Sequence, residues 1–292
     1  MLAATKLKYT NYITLGFIFL LFFAIITLVG GFYFQSSAGI WFYVIVGIVL
    51  VAVQYFISPW MLDHFNHIHF ATQQDSLYSL VNNEVKKAGL PNVRVGLDPS
   101  PIMNAYTYGR GKTSARIILT KGIMDKNLKG ELNNDELKAI INHEIGHIKN
   151  NDMAVITLAS LLPTVVSYIA FALVLSGDDN EQNSFGGYFF KWMIANFVSQ
   201  IVYFVFNIPV LYLSRLREYG ADSFSAKIMH SPQYLISALE KIHKSVSLPD
   251  AKKYMNPSLS SMYIDTKGVF ELFSTHPNIE KRIKFLKEIK II

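Results

Sequence analysis

Cysteine does not occur in this chain of 292 residues. No disulfide framework is available, which fits polar mass held in a reducing compartment. Internal repeats and low-complexity tails are missing too. A further absence is more telling: from Tyr9 to Leu62, 54 consecutive positions, there is no Asp, Glu, Lys or Arg. A water-facing surface cannot be built from such a run, so part of the chain is expected in lipid. About 20 helical residues cross the hydrocarbon, and this run breaks naturally at residues 35–39, Gln-Ser-Ser-Ala-Gly. Two spans are expected, near residues 11–34 and 40–62. Ser36 and Ala38 mimic a signal-peptidase site, but the apolar stretch before them exceeds the roughly 7–15 residues of a signal h-region.

A second charge-free block covers residues 153–177 and contains Pro163, which membrane helices tolerate. Residues 187–213 follow after a short acidic link and are less uniformly apolar, with Lys191, Asn196, Gln200 and Asn207 among aromatics and aliphatics. These are the third and fourth expected spans. The two links on one side of such an arrangement, 35–39 and 178–186, hold no Lys or Arg, whereas 26 of the 27 basic residues fall on the other side. By the positive-inside rule both termini and both large polar segments are expected in the cytoplasm, in a multi-pass protein of the cell membrane. The net charge of +6 then reports orientation and affinity for anionic headgroups of the bilayer, with no nucleic-acid partner implied.

The stretch INHEIGHIKN, residues 141–150, carries the chemistry. Asn133-Asn134-Asp135-Glu136 supplies a cap residue followed three positions later by Glu. Leu137, Ile140, Ile141, Ile145 and Ile148 recur at helical spacing, which predicts an amphipathic helix over about 134–151. On it His143 and His147 lie one turn apart on one face with Glu144 beside them. Two neutral imidazoles hold a zinc ion, and the adjacent carboxylate takes a proton from water attacking a polarised carbonyl. A catalytic zinc needs a third protein ligand. In SRLREYGAD, Glu218 and Asp222 are again four apart, with Gly220 and Ala221 small enough for close helix approach. Glu218 is the candidate third ligand, and Asp222 the candidate acceptor for the free ring N–H of a ligating histidine. The competing reading of this pair is a solvated helix face paired with Arg215 and Arg217. Spans three and four lie between His147 and Glu218, so two crossings return the chain to the same face, with the metal expected at the cytoplasmic membrane surface.

These features resemble the HtpX-type membrane zinc proteases, relatives of the CAAX prenyl proteases and of soluble gluzincins. The likeness runs over nearly the whole chain, through NAYTYGR, LNNDELKAIINHEIGHIKNND, SRLREYGAD and STHPNIEKRI. It implies a mainly α fold with a small β-sheet, in which four transmembrane helices accompany a gluzincin-type zinc metalloprotease domain. Residues 1–62 would form an N-terminal transmembrane hairpin, and 63–292 a cytoplasmic protease domain interrupted by a second hairpin at about 153–213. The implied ligands of one Zn2+ are His143, His147 and Glu218, with Glu144 as general base and Asp222 behind the ligands. Asn104, Ala105 and Tyr106 match a family segment expected to run along the cleft, where an extended substrate adds to a strand edge; the alternative is a plain turn before a strand at 115–120. His276 matches a family His-Pro before the C-terminal helix, as oxyanion donor, zinc latch or helix cap.

The expected activity is hydrolysis of peptide bonds in misfolded or damaged membrane proteins, a quality-control role in stress response, with peptide or membrane-protein substrates and an open oligomeric state. Alternatives are a selective prenyl-protein processing protease and a metal-stabilised adaptor without turnover. His64, His67 and His69 in DHFNHIH are poorly spaced for one tight ion. Asn196, Gln200, Tyr203 and Asn207 form one stripe of span four, either guiding an inserted substrate or packing the helices together.

Overall fold

The structure, a computed structural model, describes residues 38–176, 185–246 and 277–289. The first expected span and His276 lie outside the described residues. Contacts divide the described chain into two units, one of residues 56–155, 212–246 and 277–289, the other of 38–55, 156–176 and 185–211.

The first unit contains a four-stranded sheet of β1 (His69–Phe70), β2 (Arg94–Asp98), β3 (Ala105–Tyr108) and β4 (Arg116–Thr120), in the order β1-β2-β4-β3. β2 and β4 run parallel, with Arg94 opposite Arg116, while β3 returns antiparallel to β4, with Ala105 opposite Leu119. β4 is an interior, hydrophobic strand: Ile117, Ile118 and Leu119 are wholly buried, as a continuous apolar run covered on both faces should be. β3 therefore forms one edge of the sheet. The segment expected at 104–106 is strand from Ala105 onward, and Asn104 precedes it, its N–H donating to Thr120 Oγ1 at 2.9 Å.

Helices α2 (Ser76–Lys87) and α3 (Lys121–Leu128) flank the sheet, and α4 (Asn134–Asn150) packs beside α2 and β3. α4 starts as its sequence requires. Asn133 accepts from the Glu136 N–H, and the Glu136 carboxylate accepts from the Asn133 N–H, a reciprocal cap worth about 1 kcal/mol. The helix stops at Asn151, which takes the left-handed conformation (φ 59°) that Asn tolerates better than most residues.

The apolar segments are helical. α1 (Ala38–Phe65) is charge-free until Asp63. Span three is divided into α5 (Asp152–Ala159) and α6 (Leu161–Ser176). Pro163 cannot donate to the carbonyl of Ala159, which breaks the ladder where the helix steps. α7 (Phe185–Ile228) is one helix of 44 residues that carries both the fourth expected span and Glu218. Among the described residues, 152–174 and 189–228 are long and apolar enough to cross a membrane. On the stripe of span four, Gln200 and Tyr203 are exposed, and Asn196 donates to the Trp192 carbonyl of its own helix. Two amphipathic helices, α8 (Gln233–Val246) and α9 (Ile279–Glu288), complete the first unit, with α8 packed on α4.

Candidate metal centre

The middle of α4 lies against α7 because both helices have small residues at the contact. A Cβ on Gly146 would come within 2.9 Å of the Ala221 backbone, so only glycine allows this separation. The close partner is Ala221, whereas Gly220 has ordinary room, its Cβ position lying 3.5 Å from the Asn150 amide. Ser225 adds a tie between the helices by donating to the Ala139 carbonyl at 2.6 Å.

This approach brings the three candidate ligands together. His143 Nε2 and His147 Nε2 are 3.2 Å apart, and the Glu218 carboxylate lies 3.5 Å from each. One atom from each of the three lies within 4.8 Å of the others. Glu144 is also buried, at 4% exposure. His64, by contrast, stacks on Trp60, His67 adopts positive φ, and His69 opens β1.

Both imidazoles are oriented from behind. His143 Nδ1 lies 2.9 Å from Asp222 Oδ1, and His147 Nδ1 2.7 Å from Asp152 Oδ2. Each Nδ1–H therefore donates to a carboxylate, and each Nε2 turns toward the shared space. The two aspartates are themselves held by buried guanidiniums. Arg282 of α9 donates to both Asp222 oxygens, at 3.0 and 2.6 Å, and its third nitrogen lies 3.3 Å from Glu218 Oε2. Arg217 pairs with Asp152. At 3% exposure Arg217 does not lie on a solvated face, which overturns the competing reading of the SRLREYGAD segment.

The charge balance tests whether these residues suit a metal. Glu144, Asp152, Glu218 and Asp222 face two guanidiniums, and all six groups are at most 6% exposed. Four negative and two positive charges leave a deficit of about two in a site water cannot solvate, which a divalent cation would cancel. The histidines respond to the same imbalance. His143 is pushed up to about 9: burial and Arg282 oppose its charged form, but Asp222 and Glu218 outweigh them. His147 is pushed down to about 4 by burial, with the Glu218 charge opposing and His143 reinforcing the shift. A metal ion held by both Nε2 atoms would require both imidazoles in their neutral form. Two imidazoles and a carboxylate fit a divalent ion of the zinc type.

Sequence reasoning missed Asp152, Arg217 and Arg282 as parts of the site. Arg282 did leave a trace, since it interrupts the buried stripe of α9 between Ile279 and Leu286. Of the segment matched to a cleft strand, Asn104, Ala105 and Tyr106 are all buried, and Tyr106 spends its hydroxyl on Asp98 Oδ2 at 2.7 Å.

A histidine pair on one helix, closed by a carboxylate from a distant helix and bordered by an edge strand, is the layout of a metallopeptidase. The model of peptidase family M48 matches residues 71–290. A protease HtpX homolog of Methanothermobacter thermautotrophicus is 35% identical over 243 residues, 82% of this chain and 87% of that one. The homolog of Lactobacillus helveticus is 31% identical over 93% of this chain and 95% of its own. In fold, the chain is similar to Ste24p of S. mikatae, with a TM-score of 0.59 and 20% identity, covering 96% of this chain and 66% of that one. The chain belongs to peptidase family M48 and is a metalloprotease.

Proposed function

We propose that the chain is a zinc-dependent endopeptidase of the cell membrane, acting at the cytoplasmic face on misfolded or damaged membrane proteins. The observation that carries this reading is the convergence of His143, His147 and Glu218 one residue from Glu144. His143, His147 and Glu218 hold the ion, with Asp222 and Asp152 fixing the two imidazoles. When bound, the ion supplies the positive charge that polarises a peptide carbonyl and acidifies water. Glu144 accepts the proton of the attacking water and returns it to the amide nitrogen of the leaving strand. β3 is an outer strand of the sheet, and an extended substrate adds to it through the segment Asn104, Ala105 and Tyr106. His276 precedes α9, whose Arg282 reaches the site, which keeps it a candidate for oxyanion donation.

Residues 63–292 make up the catalytic domain in this reading, interrupted by a membrane hairpin at about 153–213, after an N-terminal hairpin at 1–62. The one-sided distribution of Lys and Arg supports cytoplasmic termini and a cytoplasmic active site. Short connections on both sides, from His147 to the third span and from the fourth to Glu218, support a metal near the lipid boundary.

The test is proteolysis by the purified full-length protein, with elemental analysis of the same samples. Wild type should contain about one zinc per chain, lose activity to a chelator and regain it on metal return. Glu144→Gln should keep the metal and lose cleavage, whereas His143→Ala should lose both. Cleavage by Glu144→Gln near the wild-type rate would refute its role as base.

A further inference from the structure

Asp63, near the end of α1, accepts from Arg116 Nε at 2.9 Å, from the Tyr108 hydroxyl at 2.7 Å and from Arg94 at 3.3 Å. The β3–β4 hairpin is thereby fastened to the point where the charge-free part of α1 ends. Its turn reaches further. The Arg110 guanidinium lies 5.7 Å from the Phe56 ring, and Phe56 is seven residues, roughly 10 Å of helix, before Asp63 on the side leading into the apolar run. The same turn passes the start of another apolar segment. A Cβ on Gly111 would lie 3.7 Å from Asn151 Oδ1, and the apolar helical stretch 152–174 begins at the next residue. Gly109 and Gly111, with φ of 151° and 153°, and the bond from the Arg110 N–H to Ser114 Oγ at 3.0 Å shape the turn. Arg110 and Lys112 are exposed on it, as are Phe56 (60%) and Trp60 (62%) on α1.

Two cationic side chains on a turn between the ends of two apolar helices stand at the level of lipid headgroups, provided the membrane reading above holds. We propose that this turn is a binding site for an anionic phospholipid. Arg110 and Lys112 take the headgroup phosphate, Arg by paired N–H donors and Lys as a point charge. Phe56 and Trp60 face the interfacial layer, where aromatic rings reside. The occupant is a lipid because the charged groups share their surface with large exposed apolar side chains, which a free anion would leave in water. The turn joins edge strand β3 to β4 and touches the C-terminal cap of α4. A bound lipid thus sets the height of the substrate edge and of the histidine helix relative to the bilayer.

The experiment uses full-length protein, delipidated in a non-ionic detergent and titrated with tail-labelled phosphatidylglycerol. Unlabelled phosphatidylglycerol should displace the probe, while phosphatidylcholine and inorganic phosphate should not. The pair Arg110→Gln with Lys112→Gln should weaken binding on the order of 20- to 30-fold, from about 5-fold per basic residue at an anionic surface. Each single change should show its own part, should the pair fold poorly. Arg110→Lys with Lys112→Arg should stay within a few-fold of wild type. A control pair with the same charge loss, Lys121→Gln at the start of α3 and Lys129→Gln at its C-cap, beyond the opposite end of β4, should also bind as wild type does. Equal loss in the control pair, unchanged binding by the Gln pair, or displacement by inorganic phosphate would overturn the proposal. Failure of the membrane reading is separately visible, as release of the wild-type chain from phosphatidylcholine vesicles by alkaline carbonate.

Discussion

Gly146→Ala probes the link between helix packing and metal affinity. The added methyl would sit 2.9 Å from Ala221 Cα and 3.2 Å from Phe224 Cβ, where ordinary contacts begin at 3.4 Å. The nearest obstacle is backbone, so α4 and α7 must separate by about half an ångström at that point. Overpacking of this kind costs about 1–3 kcal/mol, and the gain in helix propensity from Gly to Ala returns about 1 kcal/mol. The metal-free protein should therefore lose at most about 2 kcal/mol and remain folded. Metal binding should suffer more. His143 and His147 are on α4 and Glu218 on α7, so the separation falls directly on the ligand set, and metal–ligand distances tolerate about 0.2 Å. A 10- to 100-fold loss of affinity is expected, of the size seen when supporting groups around a metal are disturbed. Competition against a chromophoric chelator gives the affinity, and thermal unfolding with and without metal gives the stability. If Gly146→Ala bound zinc as tightly as wild type, the claim that this contact sets the ligand geometry would be wrong.

Asp152→Ala and Asp222→Ala should each reduce metal affinity about 10- to 100-fold while leaving all three ligands in place, measured by the same competition. Arg282→Met leaves Asp222 and Glu218 without their buried countercharge and should cost the metal-free protein roughly 3–5 kcal/mol. Saturating metal should recover part of that loss, since the ion supplies charge to the same carboxylates; an identical loss with and without metal would separate Arg282 from the site. Glu136 is resisted by burial but held as a carboxylate below its usual range by Lys241, Ser237 and the Asn133 N–H. Its stabilising effect is present above the unfolded carboxylate value near 4.3 and fades as pH falls through the lower folded value. Glu136→Gln should lower stability by about 1–3 kcal/mol at pH 7, and the gap from wild type in denaturant melts should close at acid pH. A gap independent of pH would exclude the charged contacts as its source.

The sequence determined what depends on near neighbours along the chain. A spacing of four on a helix puts His143 and His147 on one face whatever surrounds them, and Asn133 and Glu136 specify the helix start through bonds within three residues. The apolar runs were equally plain, because length and lack of charge alone decide them. Tertiary structure decided everything that joins remote segments. Arg282 meets Asp222 across 60 residues and His143 across 139, and no local period encodes such partners. The Gly146 to Ala221 approach and the placement of β3 at the sheet edge depend likewise on which surfaces pack together. Asp152 is the intermediate case: it follows His147 by only five residues, yet the left-handed turn at Asn151 directs it back to the imidazole. Local spacing therefore marks the atoms that can ligate, whereas long-range packing supplies the countercharges and hydrogen bonds that hold them in place.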